Sequence, residues 1–324
     1  MVRSDRRAWF QIITTLVPYA LLWWLTLRAA ALAIWFVVPP LVVLLSLFSL
    51  RCFSLMHDCG HDSLFRSRRL NRLFGFVLGL INAMPQMAWS RDHAFHHTTN
   101  GDWQRYRGVA DFLSVDEYRA LSPMQQRFYA LLRHPLMAFP GGFFYLAIKP
   151  RLDLLLGPFL PPHQRAWANR AEWVDMVLNN LCIAGILWAL ARWQDPGPVL
   201  TIGACVLALS ATAFINIFFV QHIFEASYAS TTAHWSAIDG VLHGTSFLQL
   251  PPLLNWFTAD IGYHNVHHLS CRIPNYQLRA CHQRNAHLLS GVPTLTLSTM
   301  LGCSRFLLWD PKQRTLVTIP TVGS

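Results

Sequence analysis

Three short runs hold eight of the chain's fifteen histidines: His57 and His61; His93, His96 and His97; and His264, His267 and His268. Each run repeats an i,i+4 spacing, and the second and third add a histidine at i+3. On a helix those offsets stack imidazoles about a turn apart on one face, within reach of a shared metal ion. Eight such ligands exceed what one tetrahedral or octahedral ion can use, so the arithmetic favours two ions. Imidazole is a borderline-soft donor that suits iron, zinc, copper or nickel.

Residues that are missing narrow the chemistry. A zinc protease would carry HExxH with the glutamate as general base, and no cluster contains glutamate. Soluble di-iron oxygenases use Glu-x-x-His pairs. The three glutamates here, Glu117, Glu172 and Glu225, have no histidine three residues on. A histidine-rich centre with little carboxylate leaves the ionic charge largely uncompensated and therefore electrophilic. Cys59 lies inside the first cluster, but position i+2 turns it away from the face shared by His57 and His61. The scattered His134, His163, His234, His243, His282 and His287 are read as ordinary interfacial or hydrogen-bonding residues.

The elements that must position these clusters belong to a membrane. The chain is 53% hydrophobic and 13% charged, about half the charged share of a soluble globular protein. Thirteen Trp and twenty-one Phe suit interfacial aromatic belts. Apolar runs at 11–27, 29–50, 174–191 and 198–221 each hold roughly the 20 residues needed to cross ~30 Å of hydrocarbon. The breaks at Arg28 and at 192–197 are short, giving two hairpins. Pro39-Pro40 is expected to kink the second span. Segments 73–89 and 139–160, interrupted by Gly and Pro, are expected to be interfacial or re-entrant. An even number of spans keeps the clusters on one side.

Of the 26 basic residues, only Arg28 and Arg192 fall at the hairpin tips. The positive-inside rule then places both termini and all three clusters in the cytoplasm. The net charge of +10 fits attraction to anionic lipid headgroups, and nucleic acid is not an expected partner. The basic amino terminus lacks a small-residue cleavage site and is expected to be an anchor. Seven cysteines form no CxxC pair, which argues against a disulfide framework or zinc ribbon. The expected fold is an all-α integral membrane domain spanning 1–324, with four transmembrane helices and a cytosolic helical cap formed by 51–173 and 222–324.

Residues 56–65 (MHDCGHDSLF), 93–102 (HAFHHTTNGD), 220–225 (VQHIFE) and 256–278 (WFTADIGYHNVHHLSCRIPNYQL) resemble the membrane fatty acid desaturases and related di-iron hydroxylases. The likeness is to the bacterial acyl-lipid branch and extends over about residues 10–285. It implies a mushroom-shaped protein whose cytosolic cap holds two iron ions, with O2 as cosubstrate. It also implies a ninth ligand between the fourth span and the third cluster, a place that His222 occupies. Two positions depart from the family pattern: Asp62 stands where Gly is usual, and Cys271 where Pro is common.

The reaction that the resemblance implies is an oxygen-dependent, two-electron introduction of a double bond into a long acyl chain. A sister hydroxylase, acetylenase or ketolase would share the same ligands. A non-enzymatic metal-binding membrane protein would want polar ligands along the spans, which offer only Asp175, Asn179, Asn180 and Asn216. Asp58, Asp92, Asn100, Glu225, Asp260 and Asn265 are candidates to hold the second nitrogens of the ligating rings. Arg105 and Arg107 are candidates to meet a headgroup, or else ordinary interfacial arginines. The substrate is expected on a membrane lipid, on coenzyme A or on acyl-carrier protein. With no fused haem or flavin domain visible, electrons are expected from a separate ferredoxin, or from a small cytochrome with its reductase. The expected location is the bacterial inner (cytoplasmic) membrane.

Overall fold

The computed structural model describes residues 2–108, 111–225 and 227–319. In chain order it runs α1 (Asp5–Ala31), α2 (Val38–Gly60), α3 (Arg68–Ile81) and α4 (Gln86–Thr99). A short strand β1 (Leu113–Ser114) leads into α5 (Val115–Ala120) and α6 (Pro123–Leu132). Next come α7 (Ala138–Phe143) and α8 (Lys149–Leu156), joined by a π-helical segment over Phe144–Ile148. The second long pair is α9 (Arg170–Trp193) and α10 (Pro196–Val220). The remainder comprises α11 (Ala237–Leu242), β2 (Phe247–Gln249), α12 (Pro252–Phe257), α13 (His264–Leu269), α14 (Asn275–Arg284), β3 (Thr294–Thr296), α15 (Leu297–Cys303), β4 (Phe306–Asp310) and β5 (Thr315–Thr318).

Among the described residues, four helices are long and apolar enough to cross a membrane: Asp5–Ala31, Trp35–Gly60, Arg170–Trp193 and Pro196–Val220. They extend beyond the apolar runs themselves because a helix continues through polar residues until a breaker or cap stops it. The first hairpin turns later than the sequence suggested. Arg28 sits in the last turn of α1, and the break falls after Ala31. Pro39-Pro40 does not kink the second span; the two prolines occupy its first turn, where a missing N–H costs nothing. Leu22, Val42, Leu45, Ile202 and Val206 pack α1, α2 and α10 together near the hairpin tips. Leu181, Ile186 and Trp188 on α9 face outward, as expected of a helix side that meets lipid.

Helix α2 is enclosed on all sides from Leu45 towards its end, so its final turn is held firmly. Arg51, buried within it, donates to Thr15 Oγ1 (2.9 Å) and to the Trp256 carbonyl, and lies 3.9 Å from the centre of the Trp256 ring. It thereby ties α1 and α12 to the span. Phe53, lower in the same helix, stacks on Phe214 of α10 at 4.2 Å.

Helices α3 and α4 form a sharply bent pair. They meet at a 102° bend, and α4 returns to the level where α2 ended, with the His61 and His97 rings 4.7 Å apart. Non-helical backbone removed from water must be satisfied by protein, and this bend has such partners. Arg151 of α8 donates to the Ala83 carbonyl (2.6 Å), and Asn179 of α9 donates to that of Met84 (3.1 Å). Ser49 of α2 donates to Asn82 (3.2 Å). The Asp175 carboxylate accepts from the Met87 N–H (3.0 Å), capping α4. The few polar residues of the third span thus fix the helix that carries the second cluster.

Among the described residues, two small sheets, absent from the sequence expectation, join distant parts of the cap. β1 lies parallel to β4 in the register Leu113↔Leu308, and β4 is antiparallel to β5. β2 runs parallel to β3, pairing Phe247 with Thr294. These strands are two to five residues long, too short to leave a period-2 signature.

Candidate metal centre

The three clusters and His222 converge at the open ends of the two hairpins, opposite the tips. His57 and His61 lie in the last turn and at the cap of α2. His93, His96 and His97 lie on α4; His264, His267 and His268 lie on α13; and His222 follows directly on α10. Seven of the nine are buried, and His61 and His97 are partly so.

The nine rings form two groups. His57, His61, His93, His97 and His267 make one; His96, His222, His264 and His268 make the other. Within each group the candidate ligand nitrogens lie within 4.8 Å of one another. In the first, Nε2 of His97 is 3.0 Å from Nε2 of both His93 and His267. In the second, Nε2 of His222 is 3.0 Å from that of His96 and 2.8 Å from that of His264. The His97 and His268 rings stack across the boundary at 4.1 Å.

The i, i+3, i+4 spacing explains the division. An i,i+4 pair points almost the same way on a helix, while the i+3 residue points to the other side of that direction. Helix α4 therefore gives His93 and His97 to the first group and His96 to the second. Helix α13 does the reverse, giving His264 and His268 to the second and His267 to the first. Each extra histidine crosses to the neighbouring centre. The pair from α2 completes one group, and His222 completes the other.

Burial keeps the rings neutral. It draws the His61 and His222 imidazoles down from 6.5 to about 4. Burial first, and then the neighbouring rings, hold His93, His96, His97, His264, His267 and His268 well below the ordinary histidine range. Neutral rings present lone pairs, and several of these buried nitrogens have no protein partner while others face only one another. His57 and His268 have both ring nitrogens buried and unbonded, and so is Nε2 of His61. His222 donates from Nδ1 to the Gly244 carbonyl (3.0 Å), so its Nε2 must carry the lone pair. That lone pair faces two other Nε2 atoms. Buried polar atoms left this way are costly in protein alone and satisfied by a cation at each cluster. The donor set fits two metal ions of borderline softness.

The supporting residues differ from one another in what they touch. Asn100 donates to the carbonyls of Gly240 (2.7 Å) and Gly244 (3.1 Å), so Gly244 accepts from Asn100 and His222 together. Trp235 in turn donates to the Asn100 carbonyl (2.9 Å). A Cβ on Gly240 would come within 2.4 Å of the Asn100 carbonyl oxygen, and one on Gly244 within 2.6 Å of that of Gly240. Those glycines and Trp235 escaped the sequence reading; their only signal was a Gly-x-x-x-Gly spacing shortly after His222. Asp58 is buried, accepts from the Asn275 N–H (2.8 Å), and has its other oxygen 3.5 Å from Nδ1 of His57.

The other candidates do not reach the rings. Asp92 is turned outward and paired with Arg91, and Glu225 is exposed. Burial raises the carboxyl of Asp260, partly offset by Arg279 and Arg51; the residue shapes the turn into α13 at φ 58°. Asn265 is buried with neither amide atom bonded. Cys59 joins neither group. Arg105 binds the buried Asp102 (2.5 Å), and Arg107 binds Glu117 (2.9 Å), so both are engaged within the cap. Asp62 has φ 55°, which explains why Gly is usual there and why Asp, tolerant of the left-handed region, is accepted.

Four helices able to span a membrane, crowned by two groups of histidines that could each hold a metal ion, define the class of candidate histidine-rich metal sites on membrane-capable helices. The profile of the family described as fatty acid desaturase matches residues 33–294. A Bacillus subtilis (strain 168) protein named "Fatty acid desaturase" is 33% identical, over 98% of this chain and 88% of its own length. The "sn-1 oleoyl-lipid 12-desaturase" of Synechocystis is 26% identical over 71% of this chain and 63% of its own. The "Temperature-sensitive sn-2 acyl-lipid omega-3 desaturase (ferredoxin), chloroplastic" of Arabidopsis thaliana is 26% identical over 70% of this chain and 51% of its own. The chain belongs to the fatty acid desaturase family and is an oxidoreductase of that type.

Proposed function

We propose that this chain forms one membrane domain over 1–324 and introduces a double bond into a long acyl chain, using O2 and two electrons. Nine histidines hold two irons: His57, His61, His93, His97 and His267 at one, and His96, His222, His264 and His268 at the other. The observation that carries this reading is the sorting of all nine rings into two adjoining groups at one end of the four candidate spans. The basic residues on that end favour the cytoplasmic side of the membrane.

When bound, the irons supply the O2-dependent oxidation of an unactivated methylene. The protein's part is placement, because a methylene offers no polar handle. Beneath the rings lies an aromatic floor. Phe218 is 5.9 Å from His57 and from His264, so it touches both groups, and Trp89 stacks on His93 at 4.8 Å. This floor keeps water from the membrane side of the centre and offers an apolar surface to a chain. The Gly244 carbonyl fixes the tautomer of His222, and Asp58 lies beside His57. In this reading a separate donor delivers the electrons. The basic cap suits an acidic one such as ferredoxin, which the Arabidopsis relative carries in its name. The acyl group is carried by a membrane lipid or by a thioester.

Gas chromatography of fatty acids from a host expressing the wild type beside His97→Ala tests the reading. New alkenes are expected from the wild type alone. Hydroxylated products without alkenes would overturn desaturation, and equal products from the variant would overturn the ligand assignment.

A further inference from the structure

A groove of about 410 Å³ opens on the same end of the molecule, outside the histidine centre, between the amino-terminal segment and α14. Arg3, Arg7, Arg66 and Arg284 surround it, with Tyr276 and Gln277 at its back. Among the described residues no carboxylate forms an ion pair with any of the four. The nearby Asp5 instead accepts the Arg66 N–H (2.8 Å).

The groove is built from three stretches of chain held together by hydrogen bonds. The Ser4 N–H donates to the Tyr276 hydroxyl (2.8 Å), Gln277 donates to the Val2 carbonyl, and Arg66 Nε donates to the Arg3 carbonyl (2.8 Å). Four like charges are thereby fixed side by side against one nearby carboxylate, Asp5, which is taken up by a backbone N–H, and the positive excess favours an anion. Its depth identifies the anion. Within two turns along α1 from Arg7, Phe10 and Ile13 are 65% and 55% exposed on a helix long enough to cross a membrane. The arginines therefore stand where lipid phosphates meet water, and guanidinium matches phosphate oxygens bidentately.

We propose that this groove binds the phosphate headgroup of an anionic phospholipid. Binding is independent of the acyl carrier used in catalysis, and it is read without turnover. Purified protein in neutral detergent is titrated with phosphatidylglycerol, phosphatidylcholine and inorganic phosphate, and bound lipid is measured by native mass spectrometry. The wild type should retain phosphatidylglycerol in preference to phosphatidylcholine. Replacing Arg3, Arg7 and Arg284 together by Ala should weaken that retention by roughly 100-fold. Arg66 stays in place because it pins the segment. If the triple variant does not fold, Arg284→Glu on the exposed side of α14 carries the test, with roughly tenfold weaker retention expected. Equal retention of the two lipids by the wild type, as an acidic protein partner for the groove would give, overturns the proposal. So does unchanged retention in the variants. Displacement of phosphatidylglycerol by equimolar inorganic phosphate overturns the lipid assignment.

Discussion

His222 and His264 are 42 positions apart in the chain, yet their Nε2 atoms stand 2.8 Å from each other. The contact joins the end of α10 to the start of α13 and makes His222 the only member of the four-ring group outside the two HxxHH helices. His222→Ala should lower iron from two to about one per chain and reduce desaturation by at least ~100-fold, since a ligand loss exceeds the 10- to 100-fold cost of losing a ligand's supporting partner. Metal analysis beside fatty acid profiling checks this. Two full irons in the variant would remove His222 from the ligand set.

The Asn100 amide should matter through a carbonyl it shares with a ring. Asn100→Ala frees the Gly240 and Gly244 carbonyls and loosens the loop that orients His222. The expected outcome is about 10- to 100-fold weaker iron binding at the four-ring group and a stability loss of ~1–3 kcal/mol. Gly244→Ala should do similar damage by a different route, its Cβ lying 2.6 Å from the Gly240 oxygen. Iron titration of the stripped protein and thermal unfolding distinguish these effects from simple misfolding.

Much of this site was legible in the chain because its spacing is helical and local. His57/His61, His93/His97 and His264/His268 are i,i+4 pairs, and the four spans announced themselves by length and apolarity. The ninth ring came from family resemblance, since a lone His222 carries no spacing. The split between the i,i+4 pair and the i+3 ring is local to each helix, but the division into five and four was not foreseen, because which centre each part joins depends on how α4 and α13 face each other. The bend at 82–85 falls within a Gly- and Pro-interrupted segment expected to be interfacial or re-entrant, whereas its fastening by Arg151 and Asn179 required contacts across 68 and 95 residues. The Pro39-Pro40 pair misled because proline breaks a helix only from inside it, and here the helix starts at the pair.

Acidic residues near the clusters should divide sharply by exposure. The Asp92 side chain is 71% exposed and paired to Arg91, so Asp92→Ala should leave iron content and product yield within about twofold. Glu225→Ala should behave alike. Asp58→Ala removes a buried acceptor of the Asn275 N–H beside His57, and a stability loss of ~1–3 kcal/mol is expected. Thermal unfolding and metal analysis of the three variants provide the comparison. Equal losses in all three would mean that proximity in sequence, not burial, sets their roles.

The metal-free protein should weaken in acid within a defined window. His61 and His222 are drawn from 6.5 to about 4 by burial, so between those values the unfolded chain binds protons that the folded chain refuses. Stability then rises with pH across the window and falls as pH drops from about 6.5, and the contribution of these two rings levels off below about 4. The other buried rings outside the spans shift in the same direction and steepen the fall. Metal binding has the same sign, since a ligating imidazole must be neutral, and the metal-loaded protein should resist acid to a lower pH. Thermal unfolding of chelator-stripped and iron-loaded protein, stepped from about pH 7 to about pH 4.5, measures both. A flat unfolding temperature for the stripped protein across that range would show that the rings are solvated before the metal arrives.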